Sequence, residues 1–213
     1  MGTIRKGALG GFSGKAGSIV GSSWRDISYI KGLPKLSNKP KSIKQLEQQA
    51  RFAAAVRFLL PVKSLMNVTY GQVKSGRATG FNMALKQVLD HAITGTYPDY
   101  EIDFPNVYLA KGNLGTPSDV VLEVTDLNLT VSWSPRFDKL NRFITDEMTV
   151  LVFDPISRDF VIGPEGILRT EETTVVEIPS EWSGRTVHVY LFYIGVNGKD
   201  VSNSLYAGTA EIN

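Results

Sequence analysis

At 213 residues the chain can form one large domain or two small ones, and because about 100 residues already bury a self-sufficient core, size alone does not force it to oligomerise. It has no cysteine, which excludes disulfides, thiolate metal sites and a cysteine nucleophile. A net charge of +2 hides a steep division: residues 1–89 hold 15 Lys and Arg against Asp26 and Glu47, net +13, and the remainder holds 8 basic and 19 acidic residues, net −11.

Residues 1–41 carry eight basic residues and one acid, and Gly10 to Trp24, GGFSGKAGSIVGSSW, is dense in glycine and serine. Such a composition cannot bury a core by itself, so the segment is predicted to be a basic, Gly-rich extended arm. Its expected contact residues are Phe12, Lys15, Ile19, Val20, Trp24, Arg25, Ile27, Tyr29 and Ile30. The stretch looks like a phosphate-binding loop but fails that pattern twice: Leu9 stands where the first glycine belongs, and Ala16 where Ser or Thr must follow the lysine to hold magnesium. Glycine is better explained here as allowing close approach to another backbone. Arg5 and Lys6 are not followed by an apolar segment of signal-peptide type, so no Sec signal is expected. The longest apolar run, Phe52 to Val62, is broken by Arg57 and is far short of the roughly 20 residues of a membrane span.

A helical region is predicted over 42–96. Ser42 and Gln45 have capping-box spacing, in which each side chain satisfies an otherwise orphaned backbone N–H. Leu46, Ala50, Ala53, Val56 and Leu60 recur at helical spacing, with Phe52 and Leu59 widening the stripe, and Pro61 ends or kinks the helix. A second amphipathic segment places Phe81, Leu85, Val88 and Ala92 on one face, with Gly95 as its stop. The resulting hairpin needs a third surface to cover it.

From residue 97 to 213 the period becomes alternating. Leu127, Leu129, Val131 and Trp133 face one way and Asn128, Thr130, Ser132 and Ser134 the other, as in a strand with one buried face. Further strands are predicted at 107–110, 120–124, 148–153, 159–162, 174–178, 186–194 and 204–212. Asn197-Gly198 is a type I′ hairpin signal. The fold class is therefore α+β: an arm, a small helical region and a C-terminal antiparallel β-sandwich.

LNLTVSWSP resembles the second strand of a fibronectin type III or immunoglobulin-like domain, and VHVYLFYIGVNGKDVSNSLY resembles the hairpin of its last two strands. Over its whole length the chain also resembles an uncharacterised family of Bacteroidota and phage-associated proteins. That resemblance is carried by FSGKAG at 12–17, VGSSW at 20–24, LEQQARF at 46–52 and SNSLY at 202–206, and it implies no activity.

His91 and His188 have no ligand neighbour at usable spacing and are read as structural or surface residues. Asp146-Glu147 and Glu171-Glu172 are adjacent pairs that diverge rather than converge as acid and base, and are read as solvated turn charges. Two Asn-x-Thr sequences, at Asn67 and Asn128, match the glycosylation pattern and are discounted. No enzyme constellation, cofactor or metal site is expected. The reading is a self-assembling structural subunit of a filament, fibre or virion, located on a virion or at the cell surface. Its basic arm would dock on another copy or on other virion proteins, because head-to-tail contact between the oppositely charged halves is heterologous and builds rings or filaments. Alternatives are an Ig-like binding module for carbohydrate or protein with a basic tether, and a nucleic-acid-associated virion protein using Lys31, Lys35, Lys39, Lys41 and Lys44.

Overall fold

The computed structural model describes residues 3–4, 11–24, 27–35, 39–73, 78–135 and 145–213, which fall into two compact units, Met1–Ser42 and Ile43–Asn213.

In the first unit, β1 (Thr3–Ile4), β2 (Phe12–Ala16), β3 (Ile19–Trp24) and β4 (Ile27–Gly32) form an antiparallel sheet in the order β1-β2-β3-β4. The extended arm expected from composition is thus corrected to a meander. Its backbone N–H and C=O groups find partners within the segment itself. Glycine makes this possible at two positions. Gly17, at φ 59°, opens the two-residue turn that pairs Ala16 with Ile19. At Gly21, a Cβ would overlap both the carbonyl oxygen and the ring of Phe12, so only glycine lets that ring lie across the sheet.

The second unit opens with α1 (Ile43–Leu59), directly after Ser42 and ending ahead of Pro61. A further helix not separately foreseen, α2 (Lys63–Thr69), leaves it at 86°. α3 (Gly80–His91) starts from Thr79, whose hydroxyl accepts the Asn82 backbone N–H at 3.2 Å. Its expected stripe is in place, with Leu85, Val88 and Ala92 buried and Phe81 half-buried. The stripe on α1 is only partly in place: Leu59 is buried and Leu46, Ala50 and Val56 are half-buried, but Phe52, Ala53 and Leu60 are exposed, and deep burial also takes in Ala55 and Phe58 because only the C-terminal half of the helix is deeply covered. Arg51 ties α1 to α3 by donating to the Leu89 carbonyl at 2.9 Å. Gly95, at φ 88°, is not a helix stop but lies within β5 (Ile93–Thr96), which pairs with β6 (Asp99–Ile102).

There follow β7 (Ser118–Thr125), β8 (Asn128–Ser134), β9 (Glu147–Asp154), β10 (Asp159–Ile162), β11 (Thr173–Glu177), β12 (Thr186–Ile194) and β13 (Leu205–Glu211). They form a three-stranded sheet, β11-β8-β7, and a four-stranded sheet, β10-β9-β12-β13, which pack face to face as the expected β-sandwich. Leu129, Val131 and Trp133 of β8 meet Val150, Val152, Val189 and Leu191 of β9 and β12 in the core between the sheets. The residues of β9 and β12 that point the other way, Leu151, Phe153, Tyr190 and Phe192, form a second core with Phe58, Met66, Leu85 and Val88 of the helices. The outer face of the four-stranded sheet is therefore the third surface that the helices require. Helices and sandwich form one unit, rather than separate domains at 42–96 and 97–213.

Two further strand expectations are corrected. Residues 107–110 form no strand, because side chains take up the backbone groups that a ladder would use. Thr69 Oγ1 donates to the Leu109 carbonyl at 2.7 Å, Tyr70 Oη to the Tyr108 carbonyl at 2.7 Å, and Ser204 Oγ accepts the Leu109 N–H at 2.8 Å. Of Asn197-Gly198, only the glycine has positive φ (62°), so the turn is not type I′. Asn197 Oδ1 instead accepts the backbone N–H groups of Lys199 and Asp200 at 2.9 Å each, shaping a wider connection from β12 to β13.

Candidate assembly surface

Cross-strand partners share a face of a sheet, so the register of the first unit sorts its side chains. Lys15 pairs with Val20 and Val20 with Lys31, while Ser22 pairs with Tyr29 and Trp24 with Ile27. These seven residues occupy one face. On the other, Ala16 pairs with Ile19 and Ile19 with Gly32, Gly14 and Gly21 lie in line with Ile30, and Phe12 follows by alternation along β2. The predicted contact residues are therefore split: Lys15, Val20, Trp24, Ile27 and Tyr29 together, and Phe12, Ile19 and Ile30 opposite. Arg25 lies outside the described residues.

Neither face is covered to the depth of a core. Trp24 and Tyr29 are each 44 % exposed and Ile30 63 %, while Ile19, Ile27 and Leu33 are also exposed. Gly21 is the sole buried residue among the described part of this sheet, beneath the Phe12 ring. Sheets are normally stabilised by burying at least one face against another layer. The described part of this layer instead leaves aromatic and β-branched side chains exposed on both sides.

In the second unit the titratable groups serve the fold. Asp146, expected as a solvated turn charge, is fully buried and paired with Arg169 at 2.9 Å. Isolated burial of either charge would cost several kcal/mol, about the amount that pairing must offset. Burial pushes the Asp146 carboxyl up against the opposing pull of Arg169, with Asp200 adding to the rise. The guanidinium of Arg169 stands 4.0 Å from the centre of the Tyr193 ring and also donates to the Gly115 carbonyl, while its own carbonyl accepts the Trp133 indole N–H. Glu147, the neighbour of Asp146, is exposed, as are Glu171 and Glu172.

Asp154 is also buried. Burial raises its carboxyl pKa, but the backbone N–H groups of Ser157 and Ile156, with Ser157 and Arg185 side chains, outweigh that and hold it below the ordinary range. His188 stacks on Phe104 with ring centres 3.9 Å apart and shares a 2.8 Å hydrogen bond with Tyr206 Oη. Burial lowers its pKa. His91 lies exposed at the end of α3. Among the described residues no three His, Asp or Glu side chains are grouped so as to hold a metal ion.

What sequence reasoning missed here is the clamp at Ser202–Ser204. Ser202 Oγ accepts the Tyr193 N–H at 2.9 Å, Asn203 Oδ1 the Gly112 N–H at 3.2 Å, and Ser204 Oγ the Leu109 N–H. Alternating serines around an asparagine just before a strand are the visible signal, since short polar side chains compete for backbone groups. A comparison with curated proteins finds no match. The family of unknown function DUF6266 matches residues 11–208, spanning most of the first unit's sheet and nearly all of the second unit, and the chain belongs to that family.

Proposed function

We propose that the protein is a structural, self-assembling subunit that engages another copy through its N-terminal sheet. The observation that carries this reading is the single-layer sheet with Trp24, Ile27 and Tyr29 on one face and Ile19 and Ile30 on the other, all exposed. Charge supports the same choice of partner. Residues 1–42 hold eight basic residues and one acid, net +7, and residues 43–213 hold 15 basic and 20 acidic residues, net −5. A basic sheet of one copy and the acidic body of the next attract each other, and such a contact repeats without closing on itself unless geometry forms a ring. The resemblance to phage-associated proteins is in keeping with a virion or fibre component.

The test is removal of residues 1–42, with particle size followed by negative-stain microscopy and light scattering. The full-length protein should form large particles and the truncated one a folded monomer; identical particles from both would sink the proposal. Added salt should loosen the particles if charge drives docking.

A second reading, nucleic-acid association, draws on one observation: Trp24 and Tyr29 share a face with Lys15 and Lys31, the combination of stacking groups and cations that single strands require. Nuclease treatment separates the two readings. Assemblies held by protein contacts survive it, whereas nucleoprotein particles fall apart.

A further inference from the structure

β9 and β10 are joined by Pro155–Arg158, and the buried Asp154 carboxylate fastens this connection by accepting the backbone N–H groups of Ile156 and Ser157 at 3.0 Å each. The connection closes at Arg158 with φ 60°, in the left-handed region where glycine is the natural choice and a side chain is disfavoured. A long cationic side chain stands there nonetheless, as do side chains at Asp119, Asp126 and Glu172 elsewhere, so its surroundings decide whether it has a role outside the turn.

Arg158 lines a cleft of about 370 Å³. Arg57 of α1, Tyr100 of β6 and three phenylalanines, Phe58, Phe104 and Phe153, also line it. These rings are mutually packed, with centres 4.9 Å apart for Phe58 and Phe153 and 5.5 Å for Phe104 and Phe153, so the apolar lining is rigid. Neither Arg57 nor Arg158 takes part in an ion pair or a side-chain hydrogen bond among the described residues. Arg169 and Arg185, by contrast, each hold a buried carboxylate. The single carboxylate lining the cleft, Glu101, leaves it with a net positive charge.

An aromatic lining that also carries two guanidinium groups complements a flat apolar ring bearing a carboxylate. The ring gains from leaving water against Phe58, Phe104 and Phe153, and guanidinium donors match carboxylate oxygens in geometry and charge. The volume is at the lower end of small-molecule sites, which run from about 300 to 1,000 Å³ and suit one or two fused rings at the small end. We propose that this cleft binds a small aromatic carboxylate, with Arg57 and Arg158 taking the carboxylate and the phenylalanines the ring. The inference does not rest on the assembly reading, since no lining residue belongs to the N-terminal sheet.

The experiment is a titration of the full-length protein with phenylacetate and indole-3-acetate, and with the neutral isostere phenylacetamide, followed by NMR. Saturable shifts confined to the cleft are expected for both carboxylates, with the amide at least about tenfold weaker because it forfeits the charge-assisted bonds. Arg158→Gly should lose about tenfold in phenylacetate affinity while melting no lower than the parent, since it relieves the left-handed backbone. Arg57→Gln should show a similar loss, as a second variant on an exposed helix position. Absence of saturation at millimolar carboxylate, equal affinity for the amide, or undiminished affinity in both variants overturns the proposal.

Discussion

Both units use antiparallel pairing, but what lies over the pairing differs. In the second unit, β12 is sandwiched: Val189, Leu191 and Tyr193 face β7, β8 and β11 while Tyr190 and Phe192 face the helices, and all five are completely buried. Among the described residues of the first unit only Gly21 is buried, and Trp24, Tyr29 and Ile30 keep much of their surface in water. Hydrogen-bonded ladders are thus shared, whereas hydrophobic burial, the dominant favourable term in folding, is concentrated in one unit. The contrast teaches that a sheet can be specified by turns and register without the two-sided burial that anchors β12.

Mutations that strike the covered unit should have the largest effects. Arg169→Ala strands the Asp146 carboxylate in the core and should cost about 3–5 kcal/mol in chemical denaturation, whereas replacing both partners by apolar residues of similar size should recover most of it. Leu191→Ala, at the centre of the strand buried on both faces, should cost about 2–5 kcal/mol by the same measurement. A loss below 1 kcal/mol in either would mean that the two-sided core is not as close-packed as described.

Next in size is the response to acid. Asp154 is held below its ordinary value of 3.8, so its ionised form stabilises the fold above that pH, and the contribution is lost as the pH falls through the lower folded value. Asp154→Asn should therefore destabilise the protein at neutral pH, by about 1–3 kcal/mol, and flatten the stability curve below 3.8. His188 acts in a separate window. Above 6.5 it is neutral folded and unfolded and contributes no slope; below 6.5 the unfolded chain takes up a proton that the folded state resists, so stability falls until the lowered folded value is passed. His188→Gln should remove that slope in denaturation midpoints measured between pH 7 and pH 5.

The smallest effect sharpens the comparison most. Ile30→Ser in β4 should change the stability of the second unit by less than about 0.5 kcal/mol, yet reduce particle formation in light scattering. Gly21→Val, which forces a side chain into the Phe12 ring and carbonyl, should abolish the particles with the second unit's melting unchanged. If either variant unfolds the second unit, the two regions are not energetically separate.

Much of the second unit is legible in the chain. The predicted strands at 159–162 and 186–194 coincide with β10 and β12, because short runs of β-branched and aromatic residues between turn residues leave little choice. The helix stripe on α1 is only partly where periodicity puts it, because a small-residue helix with three alanines in succession does not say which flank is covered. The unbroken apolar run from Val189 to Tyr193 was the available clue to a strand buried on both faces, since a sheet with one wet face alternates. In the first unit, composition picked out apolar residues but not their sides; only the register showed that Trp24 and Tyr29 share a face with two lysines and that Ile30 does not.

By itself the sequence determined periodicity, turn positions and the division of charge, because these depend on residues close together in the chain. Tertiary structure alone decided that the helices cover the outer sheet face, that Asp146 meets Arg169, that Asn203 and Ser204 clamp a passing backbone, and that Arg57 and Arg158 line one cleft. Each of these joins groups remote in sequence, and which remote groups meet is settled by the packing of whole layers against one another, not by any local preference.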